Sequence, residues 1–299
     1  LLIISGGPAG YTAALYGARS GFATAVLEKL SPGGQMATTS DVENYPGFPG
    51  VVDGFELGER MQEGAEKAGA ETFFAEVSKV DLLADPKVVE TSEGTFLGRT
   101  VILATGAHPR KLGIPQEEAL VNRGVAYCAT CDGNFYKDKV VVVNGGGNTA
   151  VGDALYLAKL ASKVYLVHRR DTLRATPIYL QRLKDAGVEI IWNSVVSGLQ
   201  ADKKLTGVEL TDVKTGEKRV LPADGLFVAI GQLPESSLAA GQVATDKAGY
   251  ILAGEDTKTS VPGVFAVGDV RTKAVRQIIT AAADGAVAIH YAEEYLNEK

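Results

Sequence analysis

Cys128 and Cys131 are the only cysteines in the chain, and two residues separate them. At this spacing the sulfurs can meet, so the pair can cycle between dithiol and disulfide, and each thiol tends to lower the pKa of the other. A zinc site needs about four ligands, and neither a second C-x-x-C nor a histidine pair stands nearby. A structural disulfide would close a very short loop and constrain the chain little. The spacing favours redox chemistry and leaves these two alternatives open.

Length and charge limit what else the chain can do. Its 299 residues suffice for about two domains, and a net charge of -6 argues against nucleic acid as the main partner. No apolar run approaches the roughly 20 residues that span a bilayer, and none resembles a secretory leader, so we expect no membrane partner. Cysteines confined to one C-x-x-C fit a reducing compartment, so we expect a cytoplasmic protein.

A glycine-rich turn, Ser5-Gly6-Gly7-Pro8-Ala9-Gly10, follows the apolar run at 1–4. A helical pattern over 11–20 comes next, and a short strand at 25–27 then leads into Glu28. In this order of elements, the N–H groups of the turn can approach a pyrophosphate, and the acid can bind ribose hydroxyls. Ser5 replaces the first glycine of G-x-G-x-x-G, so we expect either strain in this turn or a backbone conformation that serine tolerates.

A second turn of this kind follows the cysteine pair. A strand over 139–143 leads into Asn144-Gly145-Gly146-Gly147-Asn148-Thr149-Ala150, then a helix over 151–160 and a strand over 163–167. That strand ends not in an acid but in His168-Arg169-Arg170, with Arg174 close behind. Guanidinium groups pair with a 2′-phosphate, which a carboxylate would repel. The sequence therefore predicts NADPH rather than NADH, with a solvated basic turn as the alternative.

The order of these elements predicts an inserted domain. Buried strands over 225–231 and 264–267 and a helix over 281–296 follow the second turn, and the strand at 264–267 resembles one of the first domain. We therefore expect an α/β protein with two Rossmann-like domains. Residues 1–109 and 239–299 form the first and residues 110–238 the second, and Tyr11, Tyr16 and Trp192 are expected to pack in cores.

The chain resembles the bacterial low-molecular-weight thioredoxin reductases over essentially its whole length. The resemblance rests on motifs in the family's order: Gly6-Gly7-Pro8-Ala9-Gly10, Gly33-Gly34-Gln35, Glu43-Asn44-Tyr45-Pro46-Gly47, Ala104-Thr105-Gly106, Cys128-Ala129-Thr130-Cys131-Asp132-Gly133, Gly145-Gly146-Gly147-Asn148-Thr149-Ala150, His168-Arg169-Arg170 with Arg174, and Val267-Gly268-Asp269 with Arg276-Gln277. The chain departs from the family pattern at Ser5, Gly152-Asp153, Gln232 and Glu235.

The resemblance implies FAD in the first domain and NADPH in the second. For FAD it implies Ser5, Gly6, Gly7, Pro8, Ala9, Gly10, Glu28, Gly33, Gly34, Gln35, Asn44, Ala104, Thr105, Gly106, Gly268, Asp269, Arg276 and Gln277. For NADPH it implies Gly145, Gly147, Asn148, Thr149, Ala150, His168, Arg169, Arg170 and Arg174. It also implies a homodimer.

The resemblance also implies roles at the cysteine pair. Cys131 faces the flavin, Cys128 attacks the disulfide of thioredoxin, and Asp132 handles the proton. The inserted domain is expected to rotate between the two half-reactions. Alternatives are a flavin disulfide reductase with ferredoxin as donor or with another dithiol protein as acceptor, and a redox switch protein without turnover.

Overall fold

The chain folds into two compact units in a computed structural model that describes residues 1–39, 41–174 and 178–298. Unit 1 comprises Leu1–His108 and Leu233–Lys299, and unit 2 comprises Pro109–Gln232. The chain therefore leaves unit 1 one residue before the expected boundary at 109. Residues 233–238, which the sequence assigned to the inserted domain, lie in unit 1.

In the described part of unit 1, a five-stranded parallel sheet and a three-stranded antiparallel sheet are accompanied by three α-helices. Its first segment contains β1 (Leu2–Ile4), α1 (Pro8–Arg19), β2 (Ala25–Glu28), α2 (Gly54–Lys67), β3 (Glu71–Phe74), β4 (Val77–Asp81), β5 (Lys87–Thr91), β6 (Gly94–Gly98), β7 (Val101–Leu103) and β8 (Ala107–Pro109), which leads out of the unit.

Unit 2 has the same kinds of element. It contains β9 (Val125–Ala126), α3 (Ala129–Asp132), β10 (Val140–Gly145), α4 (Asn148–Leu157), β11 (Lys163–Val167), α5 (Ile178–Asp185), β12 (Glu189–Ile191), β13 (Ser194–Ala201), β14 (Leu205–Asp212), β15 (Lys218–Pro222) and β16 (Gly225–Ala229). The returning chain contains β17 (Gln232–Pro234), β18 (Val264–Ala266) and α6 (Ile278–Asn297).

The parallel sheet of unit 1 has the strand order β18-β7-β1-β2-β3. Ile3 lies between Val26 and Ile102 in register, and it packs on the side of the sheet that α1 and α6 cover. Leu2 and Ile4 point to the other side, where they join β4 and β5 in a second core. Burial on both faces explains why these strands read as continuous apolar runs. Pairing of β18 with β7 confirms that the strand at 264–267 belongs to the first domain.

The parallel sheet of unit 2 has the order β12-β11-β10-β16-β9, and β13-β14-β15 form an antiparallel sheet. Val141 and Val143 pack against α4, whereas Val142 packs on the opposite side with Val208 and Leu210 of β14. Each unit thus has a parallel sheet between two covering layers, and the α/β fold with two dinucleotide-binding domains is confirmed.

The tyrosines of α1 divide between core and solvent. Tyr11 is buried as expected, but the expectation for Tyr16 is wrong, because that side chain is 49% exposed. Tyr16 lies five positions after Tyr11, which is about 140° around a helix, so the two rings face opposite sides. Among the described residues, no helix combines the length and apolar character needed to cross a membrane.

Candidate functional site

The carboxyl ends of the parallel strands bring the predicted residues of each unit to one edge of its sheet. In unit 1, Ser5 follows β1, Glu28 ends β2, Ala104 follows β7 and Gly268 lies just beyond β18. Ligands of open parallel sheets bind at this edge. The residues come from four strands far apart in sequence, and the fold collects them.

The glycines of the first turn have different surroundings. A Cβ at Gly10 would overlap the carbonyl oxygen of Ser5, and one at Gly6 would lie 2.7 Å from the Tyr11 ring. A Cβ at Gly7 would meet no atom within 4 Å. Gly7 precedes α1 with φ -76° and ψ -176°, and in the described part of the chain no side chain caps this helix. The turn therefore combines two tight packing positions with one open position beside free helix N–H groups.

Ser5 occupies the left-handed region with φ +80°, which is uncommon for residues other than glycine. Its hydroxyl lies 3.2 Å from Oε2 of Glu28, and the N–H of Gly6 donates to the same oxygen at 2.6 Å. The N–H of Leu30 donates to Oε1 of Glu28 at 3.2 Å. Serine is therefore accommodated in a glycine-type conformation with a bond to the buried Glu28. Binding of ribose by Glu28 stays a prediction.

Two further segments of unit 1 lie against this turn. The N–H of Gly33 donates to the carbonyl of Gly6 at 2.8 Å, and a Cβ at Gly34 would lie 3.4 Å from Cα of Gly7. Gln35 follows in a 3-10 turn over Gly34–Thr38. From the other side, a Cβ at Gly268 would lie 3.1 Å from that of Ala9.

More distant predicted residues of unit 1 are also connected to one another. The amide of Asn44 donates to Oε1 of Gln277 at 3.0 Å, although 233 positions separate the two in sequence. The hydroxyl of Thr105 donates to the carbonyl of Glu235 at 2.5 Å, and the N–H of Glu235 donates to the carbonyl of Gly106 at 3.0 Å. Glu235, a departure from the family pattern, thus holds the 104–106 segment through its backbone.

Asp269 carries an unsatisfied buried oxygen. Its Oδ1 has no hydrogen-bond partner among the described residues, and burial raises the pKa of its carboxyl, against the opposing charges of Lys273 and Arg276. Arg276 lies over the Tyr250 ring at 4.1 Å, and its Nε donates to the carbonyl of Asp269 at 3.4 Å. An unpaired buried oxygen costs free energy, so a ligand that donates to it would be stabilised there.

The second glycine turn repeats the pattern of the first. A Cβ at Gly145 would lie 2.6 Å from that of Ala150, whereas one at Gly147 would meet no atom within 4 Å. Gly147 precedes α4 with φ -93° and ψ 179°, and no side chain within the described ranges caps this helix. Asn148 and Thr149 are exposed in its first turn. The open position again lies beside free helix N–H groups.

His168 and the arginines after it separate in the structure. A Cβ at Gly146 would overlap the buried His168 ring, whose Nε2 lies 3.0 Å from the carbonyl oxygen of Thr172. Burial, ahead of the charges of Arg174 and Arg169, lowers the pKa of His168. The sequence grouped His168 with the arginines, and the structure places its ring beneath the turn, where it supports Gly146.

The arginines themselves lie at the surface of unit 2. Arg169, Arg170 and Arg174 are exposed, and the N–H of Arg174 donates to the carbonyl of Gly146 at 2.8 Å. This bond brings the 169–174 segment to the second glycine turn. Positive charge therefore collects next to the open position at Gly147.

Cys128 and Cys131 form a disulfide with a Cα–Cα distance of 5.3 Å. Cys128 follows β9 at the same edge of the sheet as the second glycine turn. Ala129 is buried in a core with Ala150 and Ala154 of α4, so the cysteine turn is anchored to the helix that begins at Gly147. Within the described ranges, no group of three or more His, Cys, Asp and Glu side chains could hold a metal ion.

Asp132 ends α3, the four-residue helix that carries Cys131. Burial raises the pKa of Tyr136 to about 12, and the negative charge of Asp132 adds to this effect. The carboxylate is half-buried, beside a mainly apolar core that includes Tyr136 and Phe227. A carboxyl group in such surroundings can exchange a proton with a neighbouring thiolate.

Glu117 is a buried residue of this site that sequence reasoning missed. Its side chain accepts from the N–H groups of Leu112 at 2.9 Å and Gly113 at 2.8 Å and from the hydroxyl of Tyr127 at 3.0 Å. Burial, ahead of the bond to Glu117, raises the pKa of Tyr127. Tyr127 immediately precedes Cys128, so this carboxylate fixes the chain that enters the disulfide. Glu117 stands beside Glu118 in a loop, and neither acid carries a periodic signal that could have distinguished the buried one.

These features define a protein with two dinucleotide-binding units, one of which also carries a disulfide at the ligand edge of its sheet. The family model of the pyridine nucleotide-disulphide oxidoreductases matches residues 1–285. A thioredoxin reductase of Listeria monocytogenes is 44% identical over 100% of this chain and 94% of its own. One of Streptomyces clavuligerus is 47% identical over 99% and 93%. The crystal structure of thioredoxin reductase from Streptococcus pyogenes superimposes with a TM-score of 0.91 at 44% identity, covering 100% of this chain and 98% of that one.

The chain belongs to the pyridine nucleotide-disulphide oxidoreductase family and, within it, to the thioredoxin reductases. The cofactors of this group are FAD and NADPH. The resemblance that the sequence motifs indicated is therefore confirmed, and the roles of individual residues remain predictions.

Proposed function

We propose that this protein uses NADPH and bound FAD to reduce the disulfide of a thioredoxin, through Cys128 and Cys131. The observation that carries the proposal is the position of the disulfide in unit 2. The disulfide lies at the edge of the sheet that also carries an open glycine turn flanked by arginines. Dithiol chemistry and nucleotide binding are thereby combined in one unit.

The residues of unit 1 fit FAD. Gly7 leaves open space beside the uncapped N-terminus of α1, which suits a diphosphate. Asp269 offers a buried oxygen without a partner among the described residues, which suits a hydroxyl donor. We assign the diphosphate to residues 5–10. We assign the remainder of the cofactor to Glu28, 33–35, Asn44, 104–106, Gly268, Asp269, Arg276 and Gln277.

The residues of unit 2 fit NADPH. Gly147 leaves open space beside the uncapped N-terminus of α4, and exposed Arg169, Arg170 and Arg174 supply positive charge for a 2′-phosphate. His168 contributes by supporting Gly146 from below. Its lowered pKa keeps the imidazole neutral at pH 7, so the charge comes from the arginines.

FAD, when bound, accepts a hydride from NADPH and delivers two electrons to a disulfide. We assign Cys131 to the side of the flavin and Cys128 to the side of the protein substrate. After reduction, the thiolate of Cys128 attacks the substrate disulfide, and a mixed disulfide forms as one substrate sulfur leaves. The thiolate of Cys131 then attacks Cys128, which restores the disulfide and releases the substrate as a dithiol.

Proton balance assigns a role to Asp132. Reduction of a disulfide to a dithiol consumes two electrons and two protons, of which NADPH supplies one as part of the hydride. The leaving sulfur of the substrate needs a proton, and Asp132 stands next to Cys131 in a half-buried position. We propose that Asp132 donates this proton and is reprotonated from solvent.

Turnover also requires movement in this proposal. The cysteines and the NADPH residues both belong to unit 2, and both need access to a flavin bound by unit 1. We propose that unit 2 rotates between the two half-reactions, with hinges near 109–114 and 234–242. An engineered cross-link between the units should stop turnover while one half-reaction survives; full turnover in the locked protein would exclude this proposal.

We further propose a cytoplasmic homodimer with thioredoxin as its acceptor. The presence of thioredoxin reductases among full-length relatives supports the choice of substrate. Light scattering of the purified protein tests the dimer, and a mass of one chain would contradict it.

The experiment that tests the function is an anaerobic absorbance measurement. NADPH is added to the flavin-containing protein, and oxidised thioredoxin is added afterwards. Bleaching at the flavin band followed by recovery supports the reductase. In Cys128→Ser, bleaching should persist without recovery, because the attacking thiol is missing.

The other possible outcomes correspond to the alternatives. Bleaching without recovery in the unaltered protein would favour a redox switch or a different dithiol protein as acceptor. No bleaching with NADPH, but bleaching with reduced ferredoxin, would identify ferredoxin as the donor.

A further inference from the structure

Asp284 of α6 is a buried carboxylate outside the predicted set of site residues, and four donor atoms converge on it. Arg271 donates from Nε and Nη2, each at 2.7 Å. Lys273 Nζ donates at 2.8 Å, and so does the N–H of Gly268. The side chains of Asp284, Arg271 and Lys273 are all less than 10% exposed. This cluster lies in unit 1 and joins Asp284 of α6 to three residues of the 268–273 segment.

The donors to Asp284 lie on both sides of Asp269. Gly268 precedes Asp269 and adopts φ +71°, and Arg271 follows two positions later. A 3-10 turn over Gly268–Val270 joins them, and Nη1 of Arg271 also donates to the carbonyl of Ala253 at 3.3 Å. Both ends of the turn that presents Asp269 are therefore fixed to one carboxylate on α6.

The residue after Asp284 fixes α6 to the first glycine turn. A Cβ at Gly285 would overlap the carbonyl oxygen of Ala9 and would lie 2.8 Å from the nitrogen of Ala13. The backbones of α6 and α1 are therefore in direct contact at this point. Through Asp284 and Gly285, the position of Asp269 is set relative to the N-terminus of α1.

Stability alone gives little reason for such a cluster. Replacing buried ion pairs by well-packed apolar residues is often neutral or stabilising, and α6 already has alanine at Ala281, Ala288 and Ala292 in its buried face. A carboxylate with directed bonds does what an apolar side chain cannot do, because it fixes the orientation of a turn. The turn that it fixes carries the unpartnered Oδ1 of Asp269.

We propose that Asp284 is a positioning residue for FAD, which holds the Asp269 carboxyl at a fixed place relative to the first glycine turn. The inference rests on the proposed binding of FAD in unit 1. Asp284 acts through Gly268 and Arg271 and needs no contact with the cofactor. Replacing Asp284 should therefore have no further effect on FAD release once the side chain at position 269 has lost its accepting oxygen.

A double-mutant cycle on the holoenzyme tests this coupling. The release of FAD from diluted protein is followed by the fluorescence of the free cofactor in Asp284→Asn, Asp269→Ala and the double variant. We expect each single variant to release FAD about tenfold faster, which corresponds to one hydrogen bond to a charged group. The double variant should be no faster than the faster single variant. Glu293→Gln, an exposed position on the same helix, serves as the control and should leave release unchanged.

A milder variant covers the case in which Asp284→Asn does not fold. Lys273→Met removes one donor and leaves both Arg271 bonds in place, so it should accelerate release about threefold, and only when Asp269 is present. If the effects multiply in the double variants, or if neither Asp284→Asn nor Lys273→Met changes release, the positioning role is refuted. Failure of the unaltered protein to retain FAD would instead refute the proposed function.

Discussion

Alanine at Gly7 and at Gly10 should separate cofactor binding from folding, because the same methyl group enters two different surroundings. At Gly10 it would overlap a backbone oxygen of Ser5 and lie 3.2 Å from the carbonyl carbon. Ser5 cannot easily yield, since its N–H donates to Leu27 at 2.9 Å and its hydroxyl lies 3.2 Å from Glu28. At Gly7 the methyl group would meet no atom within 4 Å, and φ -76° suits alanine.

The expected magnitudes follow from these surroundings. Gly10→Ala forces atoms into a packed turn, so we expect a loss of about 2–3 kcal/mol in the free energy of unfolding. For a unit of this size that lowers the melting temperature by roughly 4–12 °C. Gly7→Ala should change stability by less than about 0.5 kcal/mol. Its methyl group would instead occupy the space assigned to the diphosphate. We therefore expect FAD binding to weaken by about 3 kcal/mol, which raises the Kd for FAD about a hundredfold.

Urea denaturation and FAD titration of the FAD-free proteins measure the two effects independently. Gly64→Ala in α2, where a Cβ also meets nothing within 4 Å, is a matched control that should bind FAD normally. If Gly7→Ala binds FAD as tightly as the unaltered protein, the diphosphate does not lie over Gly7. Unchanged stability of Gly10→Ala would show that the turn yields more readily than its hydrogen bonds suggest.

Three further outcomes are expected. Ser5→Ala should lower the free energy of unfolding by about 1 kcal/mol, because the bond to Glu28 is lost. Ser5→Gly should be more stable than Ser5→Ala, because glycine relieves left-handed strain of about 1–2 kcal/mol. Urea denaturation measures both variants, and the reverse order of stability would contradict the strain. Arg169→Ala combined with Arg170→Ala should raise the KM for NADPH about a hundredfold with little change for NADH, and equal effects on both nucleotides would refute the 2′-phosphate assignment. Burial raises the pKa of Asp153 to about 6, so the folded state holds this proton more tightly than the unfolded state does. The free energy of unfolding should therefore fall as pH rises from about 4 to 6. Asp153→Asn should be more stable than the unaltered protein at pH 7 but not at pH 4. Equal gains in stability at both pH values would exclude burial of the charge as the cause.

The order of strands and glycine turns was accessible from the sequence because burial on both faces leaves continuous apolar runs. Such runs identified β1, β10 and β18 and indicated that the second domain is inserted. Helix starts were less accurate: α1 begins at Pro8 and α4 at Asn148, three residues before the predicted starts in each case. The first turn of each helix belongs to the glycine motif, whose residues carry no apolar period.

Side-chain roles within the site were harder to predict. Ser5 looked like a departure from the motif, and only its φ and its bond to Glu28 explain how the turn accepts it. His168 stands beside two arginines in sequence, yet its ring is buried against Gly146, in the space that a Cβ there would fill. Asp284 and Glu117 act through hydrogen bonds to other segments, at 268–273 and at 112–113 and Tyr127, which no periodic pattern indicates. A lone acid among the alanines of α6 was the one available signal for Asp284.

The place of β18 in the first sheet has a consequence for synthesis of the chain on the ribosome. Unit 2 is one continuous stretch, Pro109–Gln232, so all its strands have emerged before translation ends. Unit 1 must wait, because β18 and α6 come last and β18 covers one side of β7. Until then β7 presents an unpaired edge that is open to wrong partners. The N-terminal segment, although it is made first, is therefore the part of the nascent protein with the longest exposure to misfolding.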